Sequence, residues 1–409
     1  MPERKVYGMI DKEAPLLAFD VSKGSSHCQG FYSFGKPSGK PAKVAHSKSG
    51  MAPAAGIAEA LERQTGRRPK VVLESTGVYS KPVLRWAESA GLETFEVSPL
   101  ESAKVRKSRI RPTKTDALDC AVIAEVAYTR SARRRVPASA HYSQLYSLSR
   151  RRDALVARLV ASKNQYRKDL DCVWVCLDGC CDPFSDYAMW AVAKFKHPEN
   201  LAKSSEEKLV LAMGKAGVRT GKESRRSMAS KLIAYAKDAL SGCGPKGGEV
   251  GSLLSSLEDV RRDMESLAEV TDRLTNLAKE LPHFAQIASI VGIGGVLAAL
   301  LCAEIGDPSR FKCRNGIVAY AGLDPTILQS GRNDGLHYSI TRKGNPYLRR
   351  HLYLAVENML MRKADNAIVK FYSKKKSSGL CHKAAATAAC RKLLVCIWGM
   401  LRSGTFFEE

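Results

Sequence analysis

The amino-terminal third of the chain alternates short apolar runs with longer amphipathic segments. Short apolar runs are typical of buried strands, whereas apolar positions three and four residues apart predict helices. We therefore predict an α/β domain in which outer helices cover a mixed sheet. The predicted strands are 16–21, 29–34, 42–46, 70–74 and 93–97, and the predicted helices are 52–64, 80–90 and 116–127.

Two long segments with a helical pattern follow. Residues 250–281 repeat apolar positions every three or four residues over roughly four heptads, which is a coiled-coil signature. We predict that they pair with 143–170 as an antiparallel arm, which could mediate oligomerisation or pack on its own chain as a spacer. The segment between them, about 171–248, is predicted to be a small helical insertion. The expected apolar side of 143–170 consists of Leu145, Leu148, Leu155, Leu159 and Val160.

A glycine-interrupted apolar segment, 287–305, opens the last part of the chain and is long enough to raise the question of a membrane span. Because Gly292, Gly294 and Gly295 break it and Glu304 charges it, we predict two buried helices around a turn. The turn resembles a helix-hairpin-helix, whose backbone N–H groups bind phosphate without reading sequence. We predict a mostly α-helical C-terminal domain, and a division of the chain into 1–140, 141–281 and 282–409.

The chain of 409 residues carries 65 Lys and Arg against 41 Asp and Glu, which gives a net charge of +24. Such an excess favours a polyanionic partner, because each neutralised phosphate releases counterions. We expect a nucleic acid, and a generally basic, solvated surface is the alternative. No secretory signal opens the chain and no membrane contact is expected, so we predict a cytoplasmic, nucleoid-associated protein.

Twelve cysteines are scattered along the chain, which fits reduced thiols better than a disulfide framework. Cys172, Cys176, Cys180 and Cys181 cluster. The first three are spaced four residues apart, so we interpret them as one face of a helix. A metal site is the alternative, although the spacing lacks the Cys-x-x-Cys pair of a zinc knuckle.

Four acidic residues carry the most specific chemical signal. Asp20 and Glu74 end apolar, strand-like runs, and α/β folds place functional groups at such strand ends. Asp116 and Asp119 lie three apart in a helical segment, so they share one face. Converging carboxylates stay ionised together only with a compensating cation, and hard oxygen ligands select Mg²⁺, with Mn²⁺ as the alternative ion. We predict a metal site at these four residues, and separate helix caps or surface pairs are the other interpretation.

Ser330 is a second candidate centre, because it lies in a Gly-containing loop that several arginines follow. A serine hydroxyl is a weak nucleophile that needs activation and a clamp for the developing phosphate charge. Ordinary turn chemistry is the alternative for a Ser-Gly pair. Basic residues and one asparagine near the two centres are predicted to bind nucleic acid: Lys104, Arg106, Lys107, Arg109, Arg111, Lys114, Arg332, Arg342, Lys343, Asn345 and Arg349.

Together these motifs resemble the DEDD transposases of bacterial insertion sequences, the family of bridge-RNA-guided serine recombinases. The amino-terminal motifs are Asp20-Val-Ser-Lys, Glu74-Ser-Thr-Gly and Lys114-Thr-Asp116-Ala-Leu-Asp119. The carboxy-terminal motifs are Ala319-Tyr-Ala-Gly-Leu-Asp-Pro, Gln329-Ser330-Gly331 and Lys343-Gly-Asn345-x-x-Leu-Arg349. The resemblance covers nearly the whole chain apart from 171–248.

The resemblance implies a RuvC-like, ribonuclease-H-like first domain, a coiled-coil middle and a C-terminal transposase domain. It implies that Asp20, Glu74, Asp116 and Asp119 bind Mg²⁺. It also implies that Ser330 forms a 5′-phosphoserine link to DNA, in a composite site between protomers of a dimer or tetramer. A non-coding bridge RNA would pair with donor and target DNA and choose the sequences.

Two other functions are compatible with the sequence. A RuvC-like nuclease or junction resolvase would use metal-activated water, with Ser330 only structural. A non-catalytic nucleic-acid-binding protein would keep the fold without the chemistry, although such a protein has no need to hold four like charges together.

Overall fold

A computed structural model of the protein describes residues 7–74, 77–108, 116–130, 132–135, 139–217, 221–325 and 339–407. The chain divides into two compact units, Met1–Pro137 and Ala138–Glu409. Some residues that the sequence singles out lie outside the described part: Arg109, Arg111, Lys114, Ser330 and Arg332. The side chain of Asp116 lies outside it as well.

In its described part, the first unit is a mixed sheet of eight strands with helices on both faces. The strands are β1 (Tyr7–Gly8), β2 (Leu16–Val21), β3 (Ser25–Ser33), β4 (Lys36–Pro37), β5 (Ala42–Ala45), β6 (Lys70–Glu74), β7 (Thr94–Val97) and β8 (Ala132–Arg134). The helices are α1 (Ala52–Thr65), α2 (Lys81–Ser89), α3 (Pro99–Ser108) and α4 (Asp116–Thr129). The strand order is β1-β8-β7-β6-β2-β3-β4, with β5 paired to β3. β2, β6 and β7 are parallel to one another, whereas β3 is antiparallel to β2.

The central strand β2 is buried on both faces of the sheet. Leu16 and Ala18 face one side, where they pack with apolar side chains of α4. Leu17 and Phe19 face the other side, among residues of α1 and α2. A strand covered on both faces needs a nearly continuous apolar run, which is the pattern that the sequence shows here. By the same alternation, Asp20 belongs to the α4 side.

The second unit is mostly helical. Its helices are α5 (Ala140–Val173), α6 (Leu177–Cys180), α7 (Asp186–Phe195), α8 (Pro198–Ala202), α9 (Glu206–Lys215), α10 (Lys222–Asp238), α11 (Gly248–Lys279), α12 (Phe284–Ala288), α13 (Gly295–Ile305), α14 (Arg314–Ala321), α15 (Pro346–Met361), α16 (Ala367–Ser377) and α17 (His382–Ser403). The predicted mixed α/β first part and the predicted helical C-terminal part are therefore both confirmed.

The long helices α5 and α11 lie side by side and run antiparallel. His141, at the start of α5, is 3.0 Å from the carbonyl oxygen of Leu277, near the end of α11. Two-thirds of the way along α5, the Ser162 hydroxyl donates to Asp263 at 2.7 Å. Helices α6–α10 pack in one core with the far ends of this helix pair, so the segment between the long helices is a helical insertion, as its pattern predicts.

Two details of the predicted helices are wrong. Val160 was expected on the apolar side of α5 but is 55% exposed, because it lies about 100° around the helix from Leu159. The cysteines do not share one helix face. α5 ends at Val173 and Cys176 takes a left-handed φ of 59°, so Cys172 and Cys180 lie on different helices.

Apolar helices of the second unit form its second core. Segment 287–305 gives the end of α12 and the whole of α13 around a glycine turn, as predicted. In that turn Gly292 has a φ of 92° and lies against Met359, so a side chain there would be strained and would clash. Among the described residues, α17 alone has the length and apolar composition of a membrane span, but its side chains Leu393 and Ile397 are buried in this core.

Candidate active site

Three of the predicted acidic residues of the first unit, Asp20, Glu74 and Asp119, lie on one side of the sheet. β2 and β6 are parallel and in register, so Asp20 and Glu74 end them at the same level and on the same side. α4 covers that side and begins at Asp116, and Asp119 follows one turn later with a buried side chain. The sheet and the helix thus place acids from three separate stretches of sequence on the same side of the sheet.

Arg106 of α3 bridges two of these acids. Its Nε donates to Asp119 Oδ1 at 2.8 Å, and its Nη2 donates to Glu74 Oε2 at 3.5 Å. The two carboxylate side chains are 7% and 15% exposed, whereas the Arg106 side chain is 37% exposed. A guanidinium that bridges two shielded carboxylates neutralises charges that would otherwise repel each other.

The donor set suits a hard divalent cation. Carboxylate oxygens are the ligands that Mg²⁺ prefers, and Arg106 shows that this position accepts positive charge. Asp20, Glu74, Asp116 and Asp119 are the residues that could hold such an ion. Within the described side chains, no three His, Cys, Asp or Glu residues converge closely enough to bind a metal, and this holds for the cysteine cluster as well.

The basic residues predicted on α3 have different surroundings. Lys104 donates to Glu101 at 2.7 Å, and Glu101 also accepts from Arg130 at 2.7 Å. These two hydrogen bonds lower the pKa of Glu101. Lys107 is exposed, and no ion pair of its side chain is found within the described part of the chain. Of the predicted basic residues that the structure describes on α3, Lys107 is therefore the one whose charge no described carboxylate neutralises.

The segment that contains Ser330 is framed by a short paired base. Thr341 donates from its backbone N–H to the Asp324 carbonyl at 2.9 Å, and from its hydroxyl to the Asp324 carboxylate at 2.7 Å. Pro325 and Ile340 form an antiparallel bridge beside this pair. Residues 324–325 and 340–341, which flank the undescribed residues 326–338 in the sequence, therefore lie next to each other.

Below this base, two glycines let two backbone segments touch. Gly322 ends α14 with a φ of 65°, and a Cβ added there would come within 2.9 Å of the Gly344 backbone nitrogen. Arg349 donates to the Ala321 carbonyl at 2.7 Å across the same contact. Arg342 and Lys343 are exposed nearby. Of these three predicted basic residues, Arg349 therefore makes a structural contact, whereas Arg342 and Lys343 are cations at the surface.

Asn345 has a full set of partners inside the protein. Its Oδ1 accepts from the backbone nitrogens of Tyr347 and Leu348 and so caps α15. Its Nδ2 donates to Glu304 at 2.7 Å and lies 3.3 Å from the hydroxyl of Tyr320. In this geometry the side chain positions the start of α15, and its role toward nucleic acid stays a prediction.

Glu304 joins three parts of the second unit. It is 1% exposed, and it accepts from Ser149 at 3.0 Å and from Arg150 at 2.7 Å, both on α5. The Arg150 guanidinium also lies over the ring of Tyr347, 3.4 Å from its centroid. Sequence reasoning noted Glu304 as a charge in an apolar run and missed its role. The signal was present, because a buried carboxylate requires charged or polar partners.

His351 lies next to this network in α15 and is buried. Burial, followed by the charges of Arg350, Arg152 and Arg150, lowers the pKa of His351 to about 4. The imidazole is therefore neutral at physiological pH and resists protonation by mild acid.

Two sequence profiles of transposases match the chain. A profile of DEDD transposases of the IS110 type matches residues 17–175, and one described as transposase IS116/IS110/IS902 family matches residues 285–373. An uncharacterised 43.6 kDa protein of insertion element IS110 from Streptomyces coelicolor is 27% identical over 98% of both chains. The chain belongs to the IS110/IS116 family of transposases.

Other relatives in this family align with shorter parts of the chain. A 44.8 kDa protein of insertion element IS116 from Streptomyces clavuligerus is 33% identical over 30% of each chain. A pilin gene-inverting protein from Moraxella bovis is 29% identical over 37% of this chain and 48% of its own length. As an IS110/IS116 transposase, the protein is an enzyme of DNA transposition, and the two matched regions contain the acidic residues and Ser330 respectively.

Proposed function

We propose that this transposase excises and inserts an insertion sequence by serine transesterification, with the acidic residues of the first unit as a Mg²⁺ site. The observation that carries the proposal is that Glu74 and Asp119 both contact the Arg106 guanidinium. Glu74 ends β6, which runs parallel to β2, the strand that contains Asp20. A protein that only bound nucleic acid would gain nothing from burying like charges together.

The proposed chemistry exchanges one phosphodiester bond for another. The Ser330 hydroxyl oxygen attacks the scissile phosphorus as its proton passes to a base. The bond between phosphorus and the 3′-oxygen of the DNA breaks, and that oxygen takes up a proton from the acid so formed and leaves as a hydroxyl. A 5′-phosphoserine bond results, and attack by a DNA 3′-hydroxyl reverses the step without ATP. Mg²⁺, when bound by the acids, supplies Lewis-acid charge at the phosphate. Arg342 and Lys343 contribute positive charge at the base of the segment that holds Ser330.

The test is trapping of a covalent intermediate. Purified protein is incubated with labelled element-junction DNA, the flanking non-coding transcript and Mg²⁺, and then denatured. We expect a protein–DNA adduct with the wild type and with Ser339→Ala, the matched control. Ser330→Ala should abolish the adduct, and Asp119→Asn should lower its yield by a factor of roughly a hundred or more, as for loss of an electrostatic group in an active site.

The same assay tests the alternative mechanism. Cut DNA without an adduct, unaffected by Ser330→Ala but lost in Asp119→Asn, would identify a hydrolytic nuclease or resolvase and reject the serine mechanism. β2 lies between the antiparallel strand β3 and the parallel strand β6. This arrangement supports a ribonuclease-H-like, RuvC-like fold, in which acids lie on central strands such as β2 and β6.

We further propose the partners that accompany this chemistry. A non-coding guide RNA would select donor and target DNA, and omission of the transcript should remove the adduct. The net charge of +24 supports contacts to nucleic-acid backbones, which an RNA-guided enzyme needs more than contacts to bases. The α5–α11 pair is proposed as a coiled-coil arm that joins protomers into a dimer or tetramer. The site of action is the cytoplasm, at the nucleoid.

A further inference from the structure

We propose that Arg106 is an exchangeable counter-cation, which neutralises the acidic centre before a divalent ion enters and leaves when the ion binds. The inference rests on the metal site of the proposed function and adds a residue that controls access to it. Its starting point is the guanidinium that lies between Glu74 and Asp119.

The guanidinium and a metal ion would compete for the same oxygen atoms. Arg106 contacts Asp119 Oδ1 at 2.8 Å and Glu74 Oε2 at 3.5 Å. Mg²⁺ requires its ligand oxygens at about 2.0–2.1 Å in a nearly octahedral arrangement. An ion bound to both Asp119 Oδ1 and Glu74 Oε2 would occupy the space that the guanidinium holds between them. Metal binding therefore requires Arg106 to move.

The Arg106 side chain can move toward solvent, whereas the Glu74 and Asp119 carboxylates are shielded. The two carboxylates belong to β6 and α4 and are well shielded, but more than a third of the Arg106 side chain faces solvent. Its helix also carries the exposed Lys107. A phosphate group that approaches this face of α3 offers the guanidinium two acceptor oxygens in a geometry that suits its paired donors.

The consequence is a linkage between metal binding and nucleic-acid binding. A phosphodiester that draws Arg106 outward frees the acids for the metal, and a metal that displaces Arg106 frees the guanidinium for the phosphate. Each ligand then raises the affinity for the other by the same factor. The acidic centre would bind metal weakly until substrate is present.

Calorimetric titration of the full-length protein with Mn²⁺ tests this inference. Arg106→Gln keeps hydrogen-bonding capacity but removes the charge, and we expect it to bind Mn²⁺ roughly tenfold more tightly than the wild type. Arg67→Gln, which makes the same change at an exposed ion pair with Asp11, is the matched control and should keep the wild-type affinity. A short DNA duplex should tighten Mn²⁺ binding to the wild type and leave that of Arg106→Gln unchanged.

The outcomes separate this inference from the proposed function. If Asp119→Asn abolishes Mn²⁺ binding but Arg106→Gln binds no more tightly than the wild type, the acidic centre holds metal and the exchange is rejected. If Asp119→Asn leaves Mn²⁺ binding unchanged both in the wild type and in Arg106→Gln, the metal binds elsewhere. Both the exchange and the proposed metal site are then rejected. Should Arg106→Gln fail to fold, the duplex effect on the wild type decides: equal affinity with and without DNA rejects the linkage.

Discussion

Glu304 shows how one buried charge can organise a protein interior. Its carboxylate accepts hydrogen bonds from Ser149 and Arg150 of α5 and from Asn345 at the start of α15. Removal of one partner of a buried ion pair is costly, because the remaining charge stays shielded from water. Glu304 is therefore expected to matter more for folding than most residues of its type.

We predict that Glu304→Ala lowers the free energy of unfolding by about 3–5 kcal/mol, because Arg150 and Asn345 lose their acceptor. Glu304→Gln keeps an acceptor oxygen and should cost less. Glu269→Ala, at an exposed ion pair on α11, should change stability by less than about 0.5 kcal/mol. Urea unfolding measures all three, and equal values for Glu304→Ala and Glu269→Ala would contradict the assignment.

His351 gives the second unit a dependence on acid. Its pKa is lowered from 6.5 to about 4 in the folded protein, so the unfolded state binds the proton first. The contribution of His351 to stability is therefore expected to be complete above about pH 6.5 and to fall by about 1.4 kcal/mol per pH unit as the pH drops toward 4. His351→Gln should flatten this part of the curve. Urea unfolding of the wild type and of His351→Gln between pH 7 and pH 4 provides the measurement. If stability falls with pH equally steeply in both proteins, this role of His351 is rejected.

At the scale of elements, the pattern of apolar residues predicts the bounds of strands that are determined by their own residues. The strands 16–21 and 70–74 have the predicted bounds, because a run buried on both faces leaves a clear apolar signal. β3 begins at Ser25 and not at residue 29, because its polar start is held by pairing with β2, which no local pattern reports. A carboxylate in an apolar run indicates that Glu304 has buried partners, but which partners they are was not predictable for the same reason, since Arg150 lies 154 residues away.

The contact between Asp324 and Thr341, which flanks residues 326–338 in the sequence, leads to a further prediction. Thr341→Val removes the hydroxyl that donates to the Asp324 carboxylate, and it should cost only about 1 kcal/mol of stability. Adduct yield should fall further, by roughly a factor of ten or more, because small errors in positioning reduce rates strongly. Thr387→Val, whose hydroxyl bonds within α17, is the control. Equal adduct yields would show that the base does not position the reactive segment.

At the scale of the whole molecule, net charge governs association with nucleic acid. With an excess of 24 positive charges, affinity should fall steeply as salt rises, through the return of counterions to the phosphates. The slope of the logarithm of affinity against the logarithm of salt concentration counts the phosphates contacted. Single cations on the binding surface can therefore be identified one at a time.

We predict that Lys107→Ala and Arg342→Ala each reduce that slope by about one and weaken binding to any sequence alike. Arg273→Ala, on α11 beside Glu269, should leave the slope unchanged. Fluorescence anisotropy of a labelled duplex between 50 and 200 mM salt, roughly the range over which such effects are largest, is the measurement. A slope that is unaffected by Lys107→Ala would remove α3 from the binding surface.

The position of α17 in the chain order has a consequence for synthesis on the ribosome. Its side chains, among them Leu393, Leu394 and Ile397, complete a core whose remaining members come earlier in the chain. Domains generally fold from the amino terminus as they emerge, so the first unit can fold while the second is still being made. This core of the second unit cannot close until α17 has left the ribosome. A chain that ends before this helix is therefore expected to fold its first unit and to leave this core of the second unit incomplete.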